Sequence, residues 1–514
     1  MSYCLKTAVW ELTMACNMRC LHCGSACKEG LSSELNTNEA LRLCDGLAEL
    51  GLQFVTLSGG EPLLRKDWPV IAGRLSSQGV IVNMISNGWL IDDKVIDLAS
   101  ETGLRNLAVS LDGLEDTHNK IRCKGSFGRI LSALELMQNR NFPSAVITTV
   151  IKRNLKQLNE LLKILEDFEV EFWQFQFGLP MGNLDRKEVI NPQHLEDIVE
   201  FAYDMLENSS VKPYITDCLG YYSKKTMDLR EAMSGPGKCW NGCHAGKASI
   251  GILHDGGIVG CTSIRDRKFV EGNIRETPIR EIWLKPGAFA WNRGFTRDRL
   301  EGFCKKCQFG EICLGGCKNV KLTMTGSFDE NPYCIYRVAI DRLAAKINII
   351  HDVDKLIARS RKAIELSLFE VAEMCLSKAQ VLDKNNTEVL KLLGYVCYKL
   401  KDYERSCKMN KKAVAMNPMD VYCQKGLGVS LAKLGQTDEG VTTLKKAIAI
   451  TNEKYMDPYN DLAVILLENG NPSEAVEILD QGRNISSEFR EESEVLYQTC
   501  LVASNDPNSD QLRT

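Results

Sequence analysis

Three cysteines near the amino terminus have a spacing that suits metal chemistry. They are Cys16, Cys20 and Cys23, in the order Cys-x3-Cys-x2-Cys. Three thiolates this close together can ligate three irons of a cubane iron–sulfur cluster, which normally takes four cysteines. The fourth iron is then open to an exogenous ligand, like the open position of a catalytic zinc site. A zinc site formed by the same thiols is the alternative.

Eight further cysteines are clustered later in the chain. Four of them follow the tight pattern Cys-x2-Cys-x5-Cys-x3-Cys, which begins at residue 304. Eight cysteines make two complete four-ligand sets, so we expect two more clusters, with a pair of zinc ribbons as the alternative. The eight are Cys239, Cys243, Cys261, Cys304, Cys307, Cys313, Cys317 and Cys334.

Three polar segments follow apolar runs that resemble β-strands. They read Ser-Gly-Gly-Glu-Pro at residues 58–62, Ser-Asn-Gly at 86–88 and Ser-Leu-Asp-Gly at 110–113. Glycines let a backbone approach a ligand closely, and the carboxylate of Glu61 can accept from an ammonium group. For the Asn and the Asp of the last two segments, an ordinary turn is the alternative.

The elements that position these residues alternate between strand and helix. Strands are predicted at 7–12, 54–57, 80–85, 106–111, 145–151 and 171–177, and helices at 37–50, 67–78, 92–102, 126–139 and 155–167. This alternation predicts parallel βαβ units and an α/β fold, a partial (β/α)6 TIM-like barrel. Because sites in such barrels lie at the carboxyl ends of the strands, the cysteine loop and the polar segments are expected to meet there.

The rest of the chain has a different pattern. Residues 236–340 are rich in Gly and Cys and predict a loop-rich domain held by metal clusters. Small and apolar residues recur at a period of 34 within 353–486, as in Leu393-Gly394 and Leu427-Gly428. This predicts an α-helical solenoid similar to tetratricopeptide repeats, with a generic helical bundle as the alternative. We therefore expect domains at 1–235, 236–340 and 341–490, and a helix remnant with a disordered polar tail at 491–514.

The first cysteine motif and the polar segments together resemble the radical S-adenosylmethionine (SAM) superfamily. The resemblance implies that the open iron binds the amino and carboxylate groups of SAM. Electron transfer into the sulfonium then releases methionine and a 5′-deoxyadenosyl radical. It also implies that the SAM contacts are His22, Gly59, Gly60, Glu61, Ser86, Asn87, Ser110 and Arg122, the last with a plain salt bridge as the alternative.

The later cysteines resemble the SPASM domain, an extension of radical SAM enzymes that carries two auxiliary [4Fe–4S] clusters. By this resemblance, Cys304, Cys307, Cys313 and Cys334 hold the distal cluster, and Cys239, Cys243, Cys261 and Cys317 hold the cluster nearer the barrel. Cys239 is the least secure ligand, because the spacing before Cys243 varies in the family. Without it, the proximal cluster keeps an open iron.

Differences between this sequence and related enzymes narrow the set of reactions that we expect. Sulfatase-maturing enzymes carry an Asp directly after the cysteine that matches Cys261, and Thr262 stands there in this chain. The predicted barrel begins within seven residues of the first residue, so we expect no amino-terminal leader-binding domain. We therefore expect a peptide or protein substrate, docked on the repeats and then oxidised or crosslinked, with flavodoxin or ferredoxin as electron donor. A small-molecule substrate such as a sugar or tetrapyrrole, and a non-catalytic assembly protein, are the alternatives.

Composition excludes several other classes. The chain has 514 residues and a net charge of −4, which gives no support for binding to nucleic acid or anionic membranes. It has no apolar run of about 18 residues and no signal peptide, so we expect neither a membrane span nor export. Its 21 cysteines then point to metal use in the reducing cytoplasm rather than to disulfides.

Overall fold

The computed structural model describes residues 3–216 and 218–505. Two compact units make up this part of the chain. The first contains the chain up to Lys305 together with Phe309–Ala339, and the second contains Lys306–Gln308 and the chain from Ile340 onward. Apart from Asn505, the polar tail predicted beyond Ser504 lies outside the described residues.

The first unit is built on one ten-stranded sheet, in the order β10-β9-β8-β1-β2-β3-β4-β5-β6-β7. All neighbours from β8 through β1 to β7 are parallel, whereas β9 and β10 are antiparallel. The predicted α/β fold with a large parallel sheet is thus confirmed. The strands are β1 Thr7–Glu11, β2 Phe54–Ser58, β3 Ile81–Ser86, β4 Asn106–Ser110, β5 Ser144–Val150, β6 Phe172–Phe177, β7 Lys212–Ile215, β8 Ser249–Ile252, β9 Gly257–Val259 and β10 Val270–Asn273.

Helices connect the parallel strands, and those predicted agree with the structure closely. The sequence patterns did not predict three helices of the barrel, α4, α7 and α8, or the strand β7. The helices up to residue 234 are α1 Thr37–Glu49, α2 Trp68–Ser77, α3 Asp93–Glu101, α4 Glu115–Ile121, α5 Ser126–Asn139, α6 Leu158–Asp167, α7 His194–Asn208 and α8 Lys224–Ser234.

The core lies between the sheet and these helices. Helix α1 buries Ala40, Leu43, Cys44 and Leu47, the spacing of a single helical face. Alternate strand residues such as Trp10, Leu57 and Val82 meet this layer and are fully buried. The other face of the strands carries partly exposed side chains, among them Val9, Thr56 and Asn83. That face therefore remains open to a ligand.

The segment predicted as a separate cluster-binding domain adds β8, β9 and β10 to the barrel's own sheet. Its helices are short, as the scarcity of periodic segments indicated. They are α9 Ile279–Leu284, α10 Ala290–Arg293, α11 Gly302–Lys306, α12 Gly310–Cys313 and α13 Lys318–Thr325.

The second unit is helical, as predicted. Successive helices pack as pairs, α15 on α16, α17 on α18, α19 on α20 and α21 on α22. Helix α14 Ile335–Asn348 begins in the first unit and ends in the second. The helices that lie wholly in the second unit are α15 Val353–Glu365, α16 Phe369–Leu382, α17 Thr387–Lys399, α18 Tyr403–Met416, α19 Val421–Lys433, α20 Thr437–Ile450, α21 Asp457–Glu468, α22 Pro472–Ile485, α23 Ser487–Glu492 and α24 Glu494–Ser504. In the part of the chain described, no helix is both long and apolar enough to span a membrane.

The repeated small residues let the paired helices approach closely. A Cβ placed on Gly394 would lie 2.6 Å from Oδ1 of Asn410 in α18, and one on Gly428 would lie 3.0 Å from the carbonyl of Gly440 in α20. A larger side chain at either glycine would push the helices apart.

Candidate active site

The first three cysteines lie in the loop between β1 and α1, at the carboxyl end of the sheet. The amide of Cys16 donates to the carbonyl of Lys28 at 2.9 Å, which closes the loop on itself. One carboxylate oxygen of Glu34 accepts from the Thr13 hydroxyl at 3.0 Å and from the Met14 amide at 2.8 Å. These bonds fix the course of the loop that carries the three thiols.

The electrostatics of the three thiols are unequal. Burial raises the pKa of Cys20 to about 11, and the neighbouring thiols of Cys16 and Cys23 add to the rise. A hydrogen bond from the Cys27 thiol lowers the pKa of the Cys23 thiol below its ordinary value. Arg122 opposes the rise at Cys20, and its Nη1 donates to the Cys20 sulfur at 3.9 Å. A guanidinium at this point favours the thiolate forms that bind iron.

The predicted glycine pair packs against the cysteine loop. The amide of Gly60 donates to the Thr13 carbonyl at 2.7 Å, and that of Glu61 donates to the Ala15 carbonyl at 2.8 Å. Gly59 has φ +141, and a Cβ on Gly60 would lie 2.2 Å from the Ala15 oxygen. The glycines therefore serve at least to seat the cysteine loop, a contact that the sequence motif did not reveal.

Glu61 is fully buried and joins two of the predicted segments. It accepts from the Ser86 hydroxyl at 2.8 Å and from the Asn87 amide at 2.7 Å. Burial raises its pKa to about 7, although these bonds oppose the rise. The Asn87 side chain continues the connection, since its Nδ2 donates to Asn17 Oδ1 at 2.6 Å. The loops after β1, β2 and β3 thus form one hydrogen-bonded network.

Asp112 is the centre of a second hydrogen-bonded network and does more than shape a turn. Its Oδ2 lies 2.8 Å from Nε2 of His22 and 2.6 Å from Nε of Arg122. Its Oδ1 accepts from the Thr149 amide at 2.8 Å, and its own amide donates to Nδ1 of His118. Burial opposes ionisation of Asp112, but Arg122 and His22 outweigh it and hold its pKa well below the usual range. Asp112 thereby orients both His22 and Arg122 beside the cysteine loop.

Ser110 lies next to this network at the end of β4 and is buried. The neutral state of His118 is favoured, because burial lowers its pKa to about 3. Ser110 is the predicted contact at the carboxyl end of β4, and His118 is an addition that the sequence did not single out.

The loop after β6 also covers the cysteine loop, which the sequence did not indicate. The Asn183 amide donates to the Cys23 carbonyl at 3.0 Å, and its side chain donates to the Cys20 carbonyl at 3.1 Å. Gly182 has φ +56, and a Cβ there would lie 2.2 Å from the Cys23 oxygen. The Gly-Asn pair at residues 182–183, a few residues after β6, was the available signal.

Arg265, from the region after β9, reaches the same loop. Its guanidinium bonds to the buried carboxylate of Glu11 at the end of β1 and to the Ser25 hydroxyl. The cysteine-rich second part of the first unit is therefore tied directly to the cysteine loop.

Among the later cysteines, one group contains Cys304, Cys313 and Cys334. Burial raises the pKa of Cys313 to about 12 and that of Cys334 to about 11, and the neighbouring thiol charges add to each rise. The Asn331 amide donates to the Cys304 sulfur at 3.4 Å. Cys307, the fourth predicted ligand of this set, is also buried.

The other group surrounds Cys317. Burial raises the pKa of the Cys317 thiol well above its ordinary value, and the neighbouring thiols of Cys243, Cys218 and Cys261 add to the rise. Cys239, which was expected in this set, is exposed. Cys218 follows β7 at the carboxyl edge of the sheet, and its sulfur lies 3.0 Å from the Thr216 hydroxyl. The structure thus brings Cys218 to this group, a residue that the sequence had not singled out.

These donors fit iron–sulfur clusters. Thiols converge at each of the three places, Arg122 and the Asn331 amide donate to sulfur, and hydrogen bonds to ligand sulfurs are among the factors that tune such clusters. Within residues 3–216 and 218–505, no three His, Cys, Asp or Glu side chains are placed so that they could hold one metal ion.

Two family models match the chain. Residues 10–165 match the radical SAM superfamily, and residues 243–308 match the iron–sulfur cluster-binding SPASM domain. The first match contains the cysteine loop and the networks around Glu61 and Asp112. The matches imply SAM and [4Fe–4S] clusters as cofactors, with auxiliary clusters bound by the SPASM domain.

Individual proteins agree with the family models. An AdoMet-dependent heme synthase of Methanosarcina barkeri is 30% identical over 65% of this chain and 97% of its own length. A PqqA peptide cyclase of Granulibacter bethesdensis is 27% identical over 63% of this chain and 85% of its own. The crystal structure of Streptococcus suis SuiB bound to S-adenosylmethionine aligns with a TM-score of 0.54 at 16% identity, over 64% of this chain and 76% of that one. The last likeness concerns the fold.

Proposed function

The chain belongs to the radical SAM superfamily, and we propose on that basis that it cleaves SAM reductively and takes a hydrogen atom from a peptide or protein. When bound, the first cluster supplies the electron that splits SAM into methionine and a 5′-deoxyadenosyl radical. The observation that carries this assignment is the convergence of Cys16, Cys20 and Cys23 beneath two buried polar networks.

The residues of the chain have distinct parts in this proposal. Cys16, Cys20 and Cys23 hold three irons. Asp112 fixes the ring of His22 and the guanidinium of Arg122, whose charge favours the thiolate of Cys20. These two side chains are held beside the place where SAM binds.

Glu61 has a positioning part in addition to the predicted contact with the SAM amino group. Its carboxylate already accepts from Ser86, Asn87 and Leu63. A carboxylate has about four acceptor sites, so one site is left for an ammonium group. The buried carboxylate therefore couples SAM binding to the turn after β3.

A peptide or protein substrate is supported by the helical second unit. Three tyrosines on or beside the first helices of successive pairs form a ladder, with Tyr395–Tyr422 and Tyr422–Tyr455 ring centroids each 6.3 Å apart. Lys391 and Lys425 lie over the Tyr422 ring at 5.0 and 5.5 Å. Lys391 is paired with Asp420 and Lys425 with Asp457, so these aromatic faces offer an extended peptide stacking contacts beside lysine–aspartate pairs.

The repeat pattern supports the same substrate. The helix pairs and the 34-residue period favour a solenoid similar to tetratricopeptide repeats, and such solenoids carry concave binding surfaces. The 27% identity to a peptide cyclase is consistent with this class. The three tyrosines of the ladder, together with the two lysines beside Tyr422, are called the tyrosine ladder below. Its members are Lys391, Tyr395, Tyr422, Lys425 and Tyr455.

A tetrapyrrole is the second candidate substrate. The relative that is 30% identical is named a heme synthase, and the chain covers nearly all of that relative's length. This likeness supports hydrogen abstraction from an iron porphyrin in the same barrel. The tyrosine ladder would then serve another purpose, such as binding a partner protein.

The experiment that separates the substrates uses the full chain, reconstituted with iron and sulfide without oxygen and supplied with SAM and dithionite. One arm receives a short peptide encoded beside the gene, and the other receives an iron porphyrin precursor of haem. Mass spectrometry and 5′-deoxyadenosine release are the measurements. We expect a mass change in the peptide, and conversion of the porphyrin alone would overturn the peptide proposal in favour of the second candidate.

Variants of the tyrosine ladder make this test sharper. Changing Tyr422→Ala and Lys425→Ala together should raise the peptide KM and leave SAM cleavage without substrate unchanged, because remote contacts act mostly on KM. The matched control, Tyr403→Ala with Lys408→Ala on α18, removes the same residue types away from the ladder. Equal KM values for both double variants would contradict docking on the ladder.

A further inference from the structure

Two lysines are completely buried among the cysteines of the first unit. Lys318 and Lys321 lie in α13, which begins directly after Cys317, and each has 0% of its surface exposed. Lysine is almost never fully buried unless it is paired with an opposite charge. These two residues therefore need an explanation that packing does not provide.

Neither lysine has a carboxylate partner in the described ranges. The Lys321 ammonium donates to the Leu314 carbonyl at 2.8 Å. The Lys318 ammonium makes no hydrogen bond and lies over the rings of Phe295 and Phe328, at 2.7 and 5.2 Å from their centroids. Aromatic faces and a carbonyl solvate an ammonium only in part, and an unpaired buried charge is strongly unfavourable.

The negative charge that faces the two lysines comes from cysteines. Lys321 donates to the carbonyl of Leu314, which directly follows Cys313 of one group; burial lowers the pKa of its ammonium, and the thiols of Cys304, Cys313 and Cys243 oppose that shift. Lys318 directly follows Cys317 of the other group; burial and the neighbouring Lys321 lower the pKa of its ammonium, and the thiol of Cys243 opposes that shift. Lys321 thus lies between the two cysteine groups, and Lys318 lies beside the group that contains Cys317.

The backbone around Lys321 leaves room for its ammonium. Gly315 has φ +75, and a Cβ there would lie 2.6 Å from Nζ of Lys321. The Gly-Gly pair before Cys317 therefore admits a cation at the turn that joins the two groups. A cation enclosed in this way, without a carboxylate, fits a site whose anion is not an amino-acid side chain.

We propose that Lys318 and Lys321 are the buried counter-charges of the two auxiliary clusters and raise their reduction potentials. A [4Fe–4S]2+ core with four thiolates has a net negative charge, which grows by one when the cluster is reduced. A positive charge nearby therefore stabilises the reduced form more than the oxidised form, and net charge is a known determinant of cluster potential. Lys321 acts on both clusters, and Lys318 acts mainly on the proximal one.

The inference rests on the assignment of the later cysteines as cluster ligands, and the test keeps the two apart. The full chain is prepared with Cys16, Cys20 and Cys23 all changed to Ala, so that only the auxiliary clusters contribute signal. About eight irons per chain establish the clusters themselves. Far fewer irons would overturn the ligand assignment before any lysine is changed.

The potentials are then measured by redox titration followed by electron paramagnetic resonance. Lys321→Met should shift both auxiliary signals to lower potential. We expect at least a tenfold loss in the ratio of reduced to oxidised cluster at fixed potential, about 59 mV for one electron. Lys318→Met should shift mainly the proximal signal. The matched control is Lys163→Met on the exposed face of α6, which should leave both potentials unchanged.

Two results would overturn the proposal. The first is retention of iron in both Met variants with potentials equal to the control. The second is loss of iron in both Lys321→Met and Lys321→Arg. Because Lys321→Arg keeps the charge, that result would mean that the site needs the shape of lysine and not its charge. Retention of iron and potential in Lys321→Arg would support the proposal.

Discussion

Replacing Gly60 by Ala tests whether the glycine pair seats the cysteine loop. The added methyl group would lie 2.2 Å from the Ala15 oxygen and 3.0 Å from Cβ of Cys16, whereas ordinary contact begins at 3.4 Å. Because backbone atoms cannot rotate away, the cysteine loop must move by roughly 1 Å. That movement breaks the bonds from Gly60 to Thr13 and from Glu61 to Ala15.

The cost can be worked out from these contacts. Two hydrogen bonds contribute about 0.5–1.5 kcal/mol each, and forced overpacking costs about 1–3 kcal/mol. Together they disfavour the cluster-binding loop conformation by about 2–6 kcal/mol. Since 1.4 kcal/mol corresponds to a tenfold change, formation of 5′-deoxyadenosine should fall by about 30-fold or more.

The assay is iron content and 5′-deoxyadenosine release from the reconstituted full chain. Gly60→Ala should lose the first cluster and retain about eight irons. The control is Gly128→Ala in α5, where a Cβ meets nothing within 4 Å and helix propensity improves by about 1 kcal/mol. Gly60→Ala with the iron content and rate of Gly128→Ala would refute the seating of the cysteine loop by this glycine.

Three further predictions address other parts of the chain. Cys218→Ala should lower iron content or alter the auxiliary cluster signals more than Cys239→Ala does, because Cys218 lies among the proximal thiols. A larger effect of Cys239→Ala would restore the ligand set expected from the sequence. The control is Cys44→Ala, which removes a buried thiol elsewhere. Burial raises the pKa of Glu61 to about 7 from 4.5, so the folded state favours its protonated form, and stability without SAM should fall as pH rises between about 4.5 and 7. Glu61→Gln should flatten that part of a plot of thermal stability against pH, and an unaltered slope would contradict the buried-acid account. A chain ended after about residue 350 should cleave SAM at nearly the full rate but require about 10–100 times more peptide, and an unchanged peptide KM would exclude docking on the repeats.

The main strands and helices of the barrel could be predicted because their pattern is local. The helix over 126–139 and the strand over 106–111 follow from apolar spacing alone, and both agree with the structure within one residue. The short strand β7 contains Pro213, which weakens any strand prediction, although proline is tolerated on an edge strand such as this one.

The candidate site was predictable where its residues form short motifs and hidden where they meet only in three dimensions. Asn183 is 160 residues from Cys23 in the chain, and Arg265 is 254 residues from Glu11, so no local pattern relates them. Cys218 is an intermediate case. It follows β7, and recognition of that strand would have placed it at the same edge as the other site residues.

The buried lysines show the limit of sequence patterns most directly. Lys318 lies next to a cysteine in a short helix, where lysine is usually a solvated residue. In the fold, the rings of Phe295 and Phe328 lie beside its ammonium. Those contacts depend on how the loops fold and not on residue spacing.

The central claim is that Cys16, Cys20 and Cys23 hold the cluster that cleaves SAM. The most direct test compares the reconstituted full chain with the variant in which all three are changed to Ala, each with SAM and dithionite without oxygen. We predict about twelve irons and 5′-deoxyadenosine from the unaltered chain, and about eight irons and no 5′-deoxyadenosine from the variant. Formation of 5′-deoxyadenosine by the variant would contradict the account.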